Sequence, residues 1–350
     1  MDVELSTPEV RGTSATIFEV AQEAKVSITT VSHVFSGKRP VSEATRRRVV
    51  EVAERLAYRP RASARALATG RSMTLAVQLP MIWPEIVFNP YFAILLPAMS
   101  EAAVARGYAF ALVPTNPSPT AFIEPLIGQR GVDAAILLDP VPGDPFPVAL
   151  AEGGVPYVSL GRVPGPHDNP RVDQDFDAAV HGIIGHLAEQ GYWRPALLTI
   201  ADQISSIVDI RAAFERHLDE PIVAIAHDFS DQAASTAADR LLRLNPRPDA
   251  VLCITERQAV GAGRAAATLG VRIPEDLGVV SLGDSQVSRG MKPPVTSLCV
   301  FPERAGEALV ALVDHLLAGD PTPPEVVLVA TELVVRASTQ RRSAFPSPPP

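Results

Sequence analysis

Between Thr74 and Leu282, short apolar runs alternate with stretches long enough to form helices, and this pattern leaves the chain few ways to fold. The runs are Leu75 to Leu79, Ala109 to Val113, Ala134 to Leu138, Tyr157 to Leu160, Ala196 to Ile200, Ile222 to Ala226, Ala250 to Ile254 and Gly278 to Leu282. A strand that is apolar at consecutive positions must be covered on both faces, which is the situation of a parallel sheet between layers of helices. The alternation therefore predicts an α/β body of parallel sheets flanked by helices. Sheets of this kind bind ligands beyond the carboxyl ends of their strands.

A different pattern precedes the body. Thr16-Ile17-Phe18-Glu19 fits a capping box, in which hydroxyl and carboxylate satisfy the free backbone donors of a helix start, and a helix to about Ala24 follows. Ser27 caps a second helix through Phe35, with Val31 and Val34 on one face, before Ser36-Gly37-Lys38-Arg39-Pro40 breaks the chain. Ser42 caps a third, whose Val49, Val52, Ala53 and Leu56 form the stripe of a three-helix bundle, while Arg46, Arg47 and Arg48 lie off it. Arg61 to Ala68 is Ala-rich and can form two turns of helix, ended by Thr69-Gly70, although a helix that short is marginal alone in water. Residues 1–15 and 341–350 lack periodic apolar positions and are expected to be disordered.

The net charge of −8 is unevenly spread. Residues 16–72 carry 11 Lys/Arg against 5 Asp/Glu, whereas residues 73–350 carry 19 against 31, so the basic surplus suited to phosphate lies in the head. Cys253 and Cys299 are far apart within apolar runs, which predicts buried thiols, no disulfide framework and no zinc site. No basic-then-apolar export signal and no membrane-length apolar stretch is present, so a cytoplasmic location is expected.

The string ATIFEVAQEAKVSITTVSHVFSGKRPVSEATRRRVVEVAERLAYRPRASARALATGRS resembles the N-terminal module of the LacI/GalR (lactose repressor) family nearly position for position, through the pieces TVS, VSEATRRRV, AERLAYRP and ARAL. Phrases of the body extend the resemblance to residue 340: Asn89-Pro90-Tyr91-Phe92, Arg211-x-x-Phe214, Asp228-Phe229, RIPEDLGVVSLGD, KPPVTSL and ELVVRAST. It implies a helix-turn-helix DNA-binding domain (16–60), a hinge helix (61–70) and a two-lobed, periplasmic-binding-protein-like effector and dimerisation domain (73–340). The lobes would be 73–171 with 301–326, and 172–300 with 327–340. The implied function is sequence-specific transcriptional regulation, with repression the expected outcome and activation open. Its partners would be palindromic double-stranded operator DNA, a small-molecule effector and a second copy of the chain, with no cofactor, metal or membrane.

The resemblance also assigns residues. Ile28 and Thr29 would face base edges in the major groove, and Thr16, Ser27, Thr30, Ser32, Ser42 and Thr45 would hold phosphates, Ser27 and Ser42 serving also as helix caps. Leu67 would wedge into the minor groove with Arg65 beside it; otherwise Leu67 packs on the head as part of a plain linker. His33 stands where the family usually has Arg and lacks the fork for a bidentate guanine contact, so the operator is expected to differ there. Lys25 stands where Gly is frequent, at a cost of about 1 kcal/mol if the backbone is left-handed.

In the cleft, Tyr91, Phe92, Ser205, Arg211, Phe229, Thr255 and Asp284 are the effector candidates. The aromatics either stack on a ring or pack the core, Arg211 suits an oxygen or carboxylate, and Thr255 can hydrogen-bond. Sugar-binding members usually carry Asp where this chain has Gly161 and Gly283, and Asn-Asp in place of Thr255-Glu256. The loss of hydroxyl-binding groups argues for a less polar or carboxylate-bearing effector, or for none. Ile82 to Phe88 either reshape the cleft mouth or form a surface loop, and the Pro-broken Thr115 to Arg130 leaves one lobe locally undefined.

An enzyme is not expected. His181 and His186 are wrongly spaced to share a helix face, Gly283-Asp284-Ser285 lacks the strand-Ser-helix elbow, and Gly261-Ala262-Gly263 is an incomplete dinucleotide fingerprint. Two other readings stay open: a cytoplasmic ligand-binding protein whose head has lost specific DNA binding, suggested by His33 and Lys25, and a DNA-binding protein with a vestigial cleft, suggested by Gly161 and Gly283.

Overall fold

The computed structural model describes residues 15–36, 39–58, 71–79, 89–113, 131–163, 169–201, 204–319 and 325–341. The hinge, with Arg65 and Leu67, lies outside the described residues, as do Ile82 to Phe88, Thr115 to Arg130 and nearly all of both terminal segments. The chain divides into two compact units, residues 1–73 and 74–350.

The first unit holds α1 (Ile17–Glu23), α2 (Ile28–Ser36) and α3 (Glu43–Arg55). Its core is the expected set of Val20, Ala21, Ala24, Val31, Val34, Val49, Val52 and Ala53, with Leu56 and Tyr58 packed against it. The Thr16–Glu19 capping box is present, with the Thr16 amide donating to Glu19 Oε2 at 2.6 Å. Ser27 Oγ accepts from the Thr30 amide at 3.0 Å and Ser42 Oγ from the Thr45 amide at 3.3 Å, so each of these helices starts on a short hydroxyl side chain. Arg48, off the apolar stripe as expected, donates from Nε to the Ala24 carbonyl at 3.0 Å and ties α3 to the end of α1.

The second unit contains two six-stranded sheets. The first combines β1 (Thr74–Gln78), β2 (Ala109–Val113), β3 (Ala134–Leu138), β4 (Tyr157–Leu160), β5 (Arg171–Gln174) and β11 (Val326–Val329) in the order β11-β5-β4-β3-β1-β2, all parallel. The second combines β6 (Pro195–Ile200), β7 (Ile222–Ala226), β8 (Ala250–Cys253), β9 (Gly278–Leu282), β10 (Thr296–Cys299) and β12 (Glu332–Val334) in the order β12-β10-β9-β8-β6-β7. Only its edge strand β12 runs antiparallel, against β10. In both sheets the chain reverses direction of growth after the second-laid strand, which leaves a crevice at the carboxyl ends.

Helices cover the sheets. On the first lie α4 (Pro90–Ala105) and α5 (Phe146–Glu152); on the second lie α6 (Phe176–Glu189), α7 (Ser205–Arg216), α8 (Asp231–Leu242), α9 (Glu256–Thr268) and the short α10 (Gln286–Gly290). The last long helix, α11 (Pro302–Ala318), returns to the first sheet and packs on α4. There Gly306 is needed because a Cβ at that position would come within 3.0 Å of the Leu95 carbonyl and the Met99 amide.

Two lobe boundaries shift from those expected. Strand β5 pairs with β11 in the first sheet, Arg171 opposite Val326 and Gln174 opposite Val329. The crossovers therefore follow Gln174 and Val329, three residues beyond 171 and 326, because each apparent boundary falls inside a strand that needs its partner.

Candidate functional site: the head surface and the interlobe cleft

In the first unit, the start of α2 presents polar atoms and one apolar side chain to solvent. Ser27 and Thr29 are exposed, and Ile28 is 40% exposed although it opens a helix whose two valines, Val31 and Val34, are buried. Thr30, Ser32 and His33 are half-buried behind them, while Thr16 and Ser42 are exposed at their caps and Thr45 is half-buried. An exposed isoleucine at a helix start adds nothing to the core and suits contact with an apolar partner surface. Lys25, in the turn before α2, has φ +53°, the left-handed conformation for which glycine is the ordinary choice.

In the second unit, a cavity of ≈120 Å³ opens between the carboxyl ends of the two sheets. The first sheet contributes Asp139 after β3, Gly161 after β4, and Asp173 and Gln174 at the end of β5; the second contributes Thr255 and Glu256 after β8 and Gly283 after β9. Most of the remaining wall is apolar: Phe92 of α4, Ile204, Ile207 and Ile210 at α7, and Phe229.

Four of the seven sequence candidates line this cavity: Tyr91, Phe92, Phe229 and Thr255. Tyr91 meets Phe92 edge to face with centroids 5.4 Å apart, and Gln174 Nε2 approaches its hydroxyl at 3.5 Å. The Thr255 hydroxyl caps α9 by accepting from the Gln258 amide at 3.2 Å. Ser205 is buried behind the wall, and its neighbour Ser206 takes the lining position. Arg211 does not line the cavity; its Nε is bonded to Glu215 at 2.8 Å along α7. Asp284 is also elsewhere, held by Arg336 and Arg289, each at 2.8 Å. Burial works against ionisation of Asp284, but the two guanidiniums outweigh it and hold its carboxyl below the usual range.

Sequence reading missed the charged groups of the cleft. Asp139 is half-buried in the cavity wall; burial pushes its carboxyl up to about 7, the Ser206 hydroxyl opposes the rise, and Asp173 adds to it. Burial also raises Asp173 and Glu256, with Arg171 counteracting at Asp173 and Ser285 at Glu256. Burial raises the Tyr91 phenol as well, helped by the neighbouring charge of Asp139.

Gly161 and Gly283 explain why the acids sit where they do. Both are left-handed, at φ +75° and +93°. A Cβ at Gly283 would meet the Glu256 carboxylate at 2.7 Å, and one at Gly161 would lie 2.8 Å from Ser205 Oγ and 3.4 Å from Asp139 Oδ1. The acceptors that seemed lost at 161 and 283 are thus replaced by carboxylates from adjacent strand ends. A carboxylate-bearing effector is disfavoured by the same acids, with Arg211 outside the cavity.

Other motifs prove structural. Gly261 lies in α9, where a Cβ would come within 2.5 Å of the Asp231 carbonyl on α8, so it permits close helix contact and is no part of a phosphate loop. The His181 and His217 rings meet at a tilt of 50° with centroids 4.8 Å apart, and His186 Nε2 bonds Thr339 Oγ1 at 2.8 Å. Cys253 is buried, but Cys299 is only half-buried. Among the described residues no helix is long and apolar enough to cross a membrane, and no group of His, Cys, Asp and Glu could hold a metal.

Comparison with known proteins agrees with both units. A family described as bacterial regulatory proteins, lacI family, matches residues 16–61, and a periplasmic binding protein-like domain matches residues 184–339. The HTH-type transcriptional regulator CelR of Thermobifida fusca is 32% identical over 340 residues, which cover 92% of this chain and 98% of CelR. The HTH-type transcriptional repressor PurR of Aliivibrio fischeri is 28% identical over 343 residues, 94% and 99% of the two chains. Among solved structures, a CelR–cellobiose complex aligns with a TM-score of 0.70 at 28% identity, covering 93% of this chain and 99% of that one. A lac repressor dimer bound to operator and an anti-inducer shares the fold, with a TM-score of 0.81 at 24% identity over 93% and 99%. The near-complete coverage by CelR at that identity, together with the match of the head, places this chain in the lacI family of bacterial regulatory proteins, as a DNA-binding transcriptional regulator.

Proposed function

We propose that this regulator acts in the cytoplasm as a homodimeric repressor, whose two heads occupy the half-sites of a palindromic operator and whose affinity is set by a small molecule in the interlobe cleft. Two-fold protein symmetry requires a two-fold site. The start of α2 enters the major groove, where Ile28 and Thr29 read base edges and Thr16, Ser27, Thr30, Ser32, Ser42 and Thr45 hold the backbone. The observation that carries this reading is Ile28: a large apolar side chain, 40% exposed, beside hydroxyls at a helix start. His33 follows them along α2 and shifts base preference at its position.

The hinge 61–70 folds against the minor groove when two subunits meet, with Leu67 as the wedge and Arg65 beside it. In the cleft, Tyr91, Phe92, Phe229 and Thr255, with Ser206 in place of Ser205, contact the ligand. A ligand that favours one lobe arrangement decides whether the two hinges can pair. The relatives give the precedent: one is solved with cellobiose, another with operator and an anti-inducer.

Selection of genomic fragments by the purified protein tests the reading. Recovery of one short palindrome, lost on Ile28→Ala with Thr29→Ala, supports it. Recovery of fragments without a shared sequence contradicts it and leaves the cleft as the functional site.

A further inference from the structure

The polar groups of the cleft are unbalanced. Three carboxylates, Asp139, Asp173 and Glu256, line it, and no Lys, Arg or His does among the described residues. Asp173 has Arg171 Nε at 3.4 Å, while Asp139 and Glu256 have hydroxyl partners, Ser206 and Ser285. The neutral groups add hydrogen-bond donors but no positive charge. The Thr255 hydroxyl accepts a capping bond and keeps its own O–H, the Asn89 side-chain Oδ1 accepts from the Tyr91 amide at 3.0 Å, and the Gln174 amide is turned toward the Tyr91 hydroxyl. A molecule entering this cavity therefore meets three carboxylates and, among the described residues, no cationic side chain, between apolar walls.

Asp139 stands out further. It has φ +45°, left-handed backbone that costs an aspartate roughly 1 kcal/mol, and it is half-buried beside a second carboxylate. Strain and uncompensated charge at one residue mark a position held for something other than stability. The cavity volume of ≈120 Å³ is close to the ~150 Å³ known to admit a benzene-sized guest.

We propose that the ligand of this cleft is a small organic cation, an amine whose apolar body is about the size of one six-membered ring, with its ammonium held by Asp139 and Asp173. The body lies against Phe92, Phe229 and the isoleucines of α7, and the aromatic face of Tyr91 adds attraction for the charge. Glu256, across the cleft, accepts a further N–H or O–H of the ligand. The cation supplies the positive charge that the cavity lacks, and so offsets the cost of grouping three carboxylates that are partly or fully withdrawn from water. This inference rests on the cleft being the effector site.

Calorimetric titration of the full chain with charge-matched pairs provides the test: benzylamine against benzyl alcohol and benzoate, cyclohexylamine against cyclohexanol, and cellobiose as a neutral sugar. The amines are expected to bind and their alcohols to bind at least about tenfold more weakly, the loss appropriate to a charge-assisted hydrogen bond. Asp139→Asn should weaken amine binding by a similar factor. Asp173→Asn is the second variant, and far-UV circular dichroism confirms that each is folded. Asp139 faces Asp173 and Tyr91; Arg171 and the Arg162-paired Asp209 bear on Asp173, and Glu303 on Tyr91. Amine affinity should rise roughly tenfold between pH 6 and pH 8 as Asp139, titrating at about 7, ionises. Equal or tighter binding of an alcohol, benzoate or cellobiose, or no amine binding up to millimolar concentration, overturns the proposal. Operator binding measured on the same samples separates the two levels. A neutral sugar that alters it leaves the cleft an effector site for another ligand class, whereas a cleft that binds none of the probes and operator binding that none of them alters count against the effector reading itself.

Discussion

Lys25 and Asp139 both occupy left-handed backbone, yet they have opposite consequences for what can be changed. Lys25 makes the turn into α2 at φ +53° with its side chain exposed, so Lys25→Gly should stabilise the protein by about 1 kcal/mol, seen as a higher denaturation midpoint of the head. An unchanged or lower midpoint would mean that the lysine side chain contributes a compensating contact. Asp139 is a pH-dependent liability. Its folded pKa of about 7 lies above the ordinary 3.8, so the folded state binds the extra proton between these values. Stability should therefore be highest below pH 4 as far as this group is concerned, and fall as pH rises toward and through 7, by at most on the order of 4 kcal/mol. Asp139→Asn should flatten that slope in thermal denaturation measured without ligand; an unchanged slope would assign the pH dependence to other groups. Sequence reading did not find Asp139, because it registered the apolar run before it as a strand and the missing aspartates at 161 and 283 as a loss. That β3 and β4 pair side by side, bringing Asp139 next to Gly161, is a fact of sheet order that local spacing does not carry.

At the scale of elements, legibility followed apolar continuity. The eight apolar runs all became strands within a residue of their expected ends, and the capped, striped helices of the head formed as read. The strands β5, β10 and β12 were not read, because polar residues interrupt them, and neither was β11, a run of only four apolar residues at the edge of its sheet. In β10 those residues are buried yet satisfied by a serine of β9 and by the last segment. Thr296 Oγ1 meets Thr339 Oγ1 at 2.6 Å, Ser297 Oγ meets Ser281 Oγ at 3.0 Å, and Ser338 Oγ donates to the Val279 carbonyl at 2.5 Å. Polar residues can be core when their partners arrive from elsewhere in the chain, which a pattern of apolar positions cannot reveal. The α8–α9 pair offers a direct check of packing. Since a Cβ at Gly261 would lie 2.5–2.7 Å from Asp231 O, Ala234 Cβ and Ser235 N, Gly261→Ala should push the helices apart and cost about 1–3 kcal/mol in denaturant unfolding. Arg211→Ala, by contrast, removes an exposed bond to Glu215 and should leave ligand affinity within about twofold, where sequence reading alone placed the arginine in the cleft.

For the whole molecule, charge and function divide along the chain. The head carries the basic surplus and the body is acidic, so phosphate attraction belongs to one unit and an acidic cleft to the other. Phosphate attraction alone gives affinity that falls steeply with salt and does not distinguish sequences, whereas base contacts by Ile28 and Thr29 give a ratio between operator and random DNA. The direct test of the central claim is therefore that ratio, measured by fluorescence anisotropy on a selected palindrome and on a scrambled duplex at two salt concentrations, for the wild-type chain and for Ile28→Ala with Thr29→Ala. A wild-type preference of about a thousandfold or more that collapses in the variant, while the salt slope on scrambled DNA stays the same, is the predicted result. A wild-type ratio near one, with binding to both duplexes lost alike as salt rises, would contradict it.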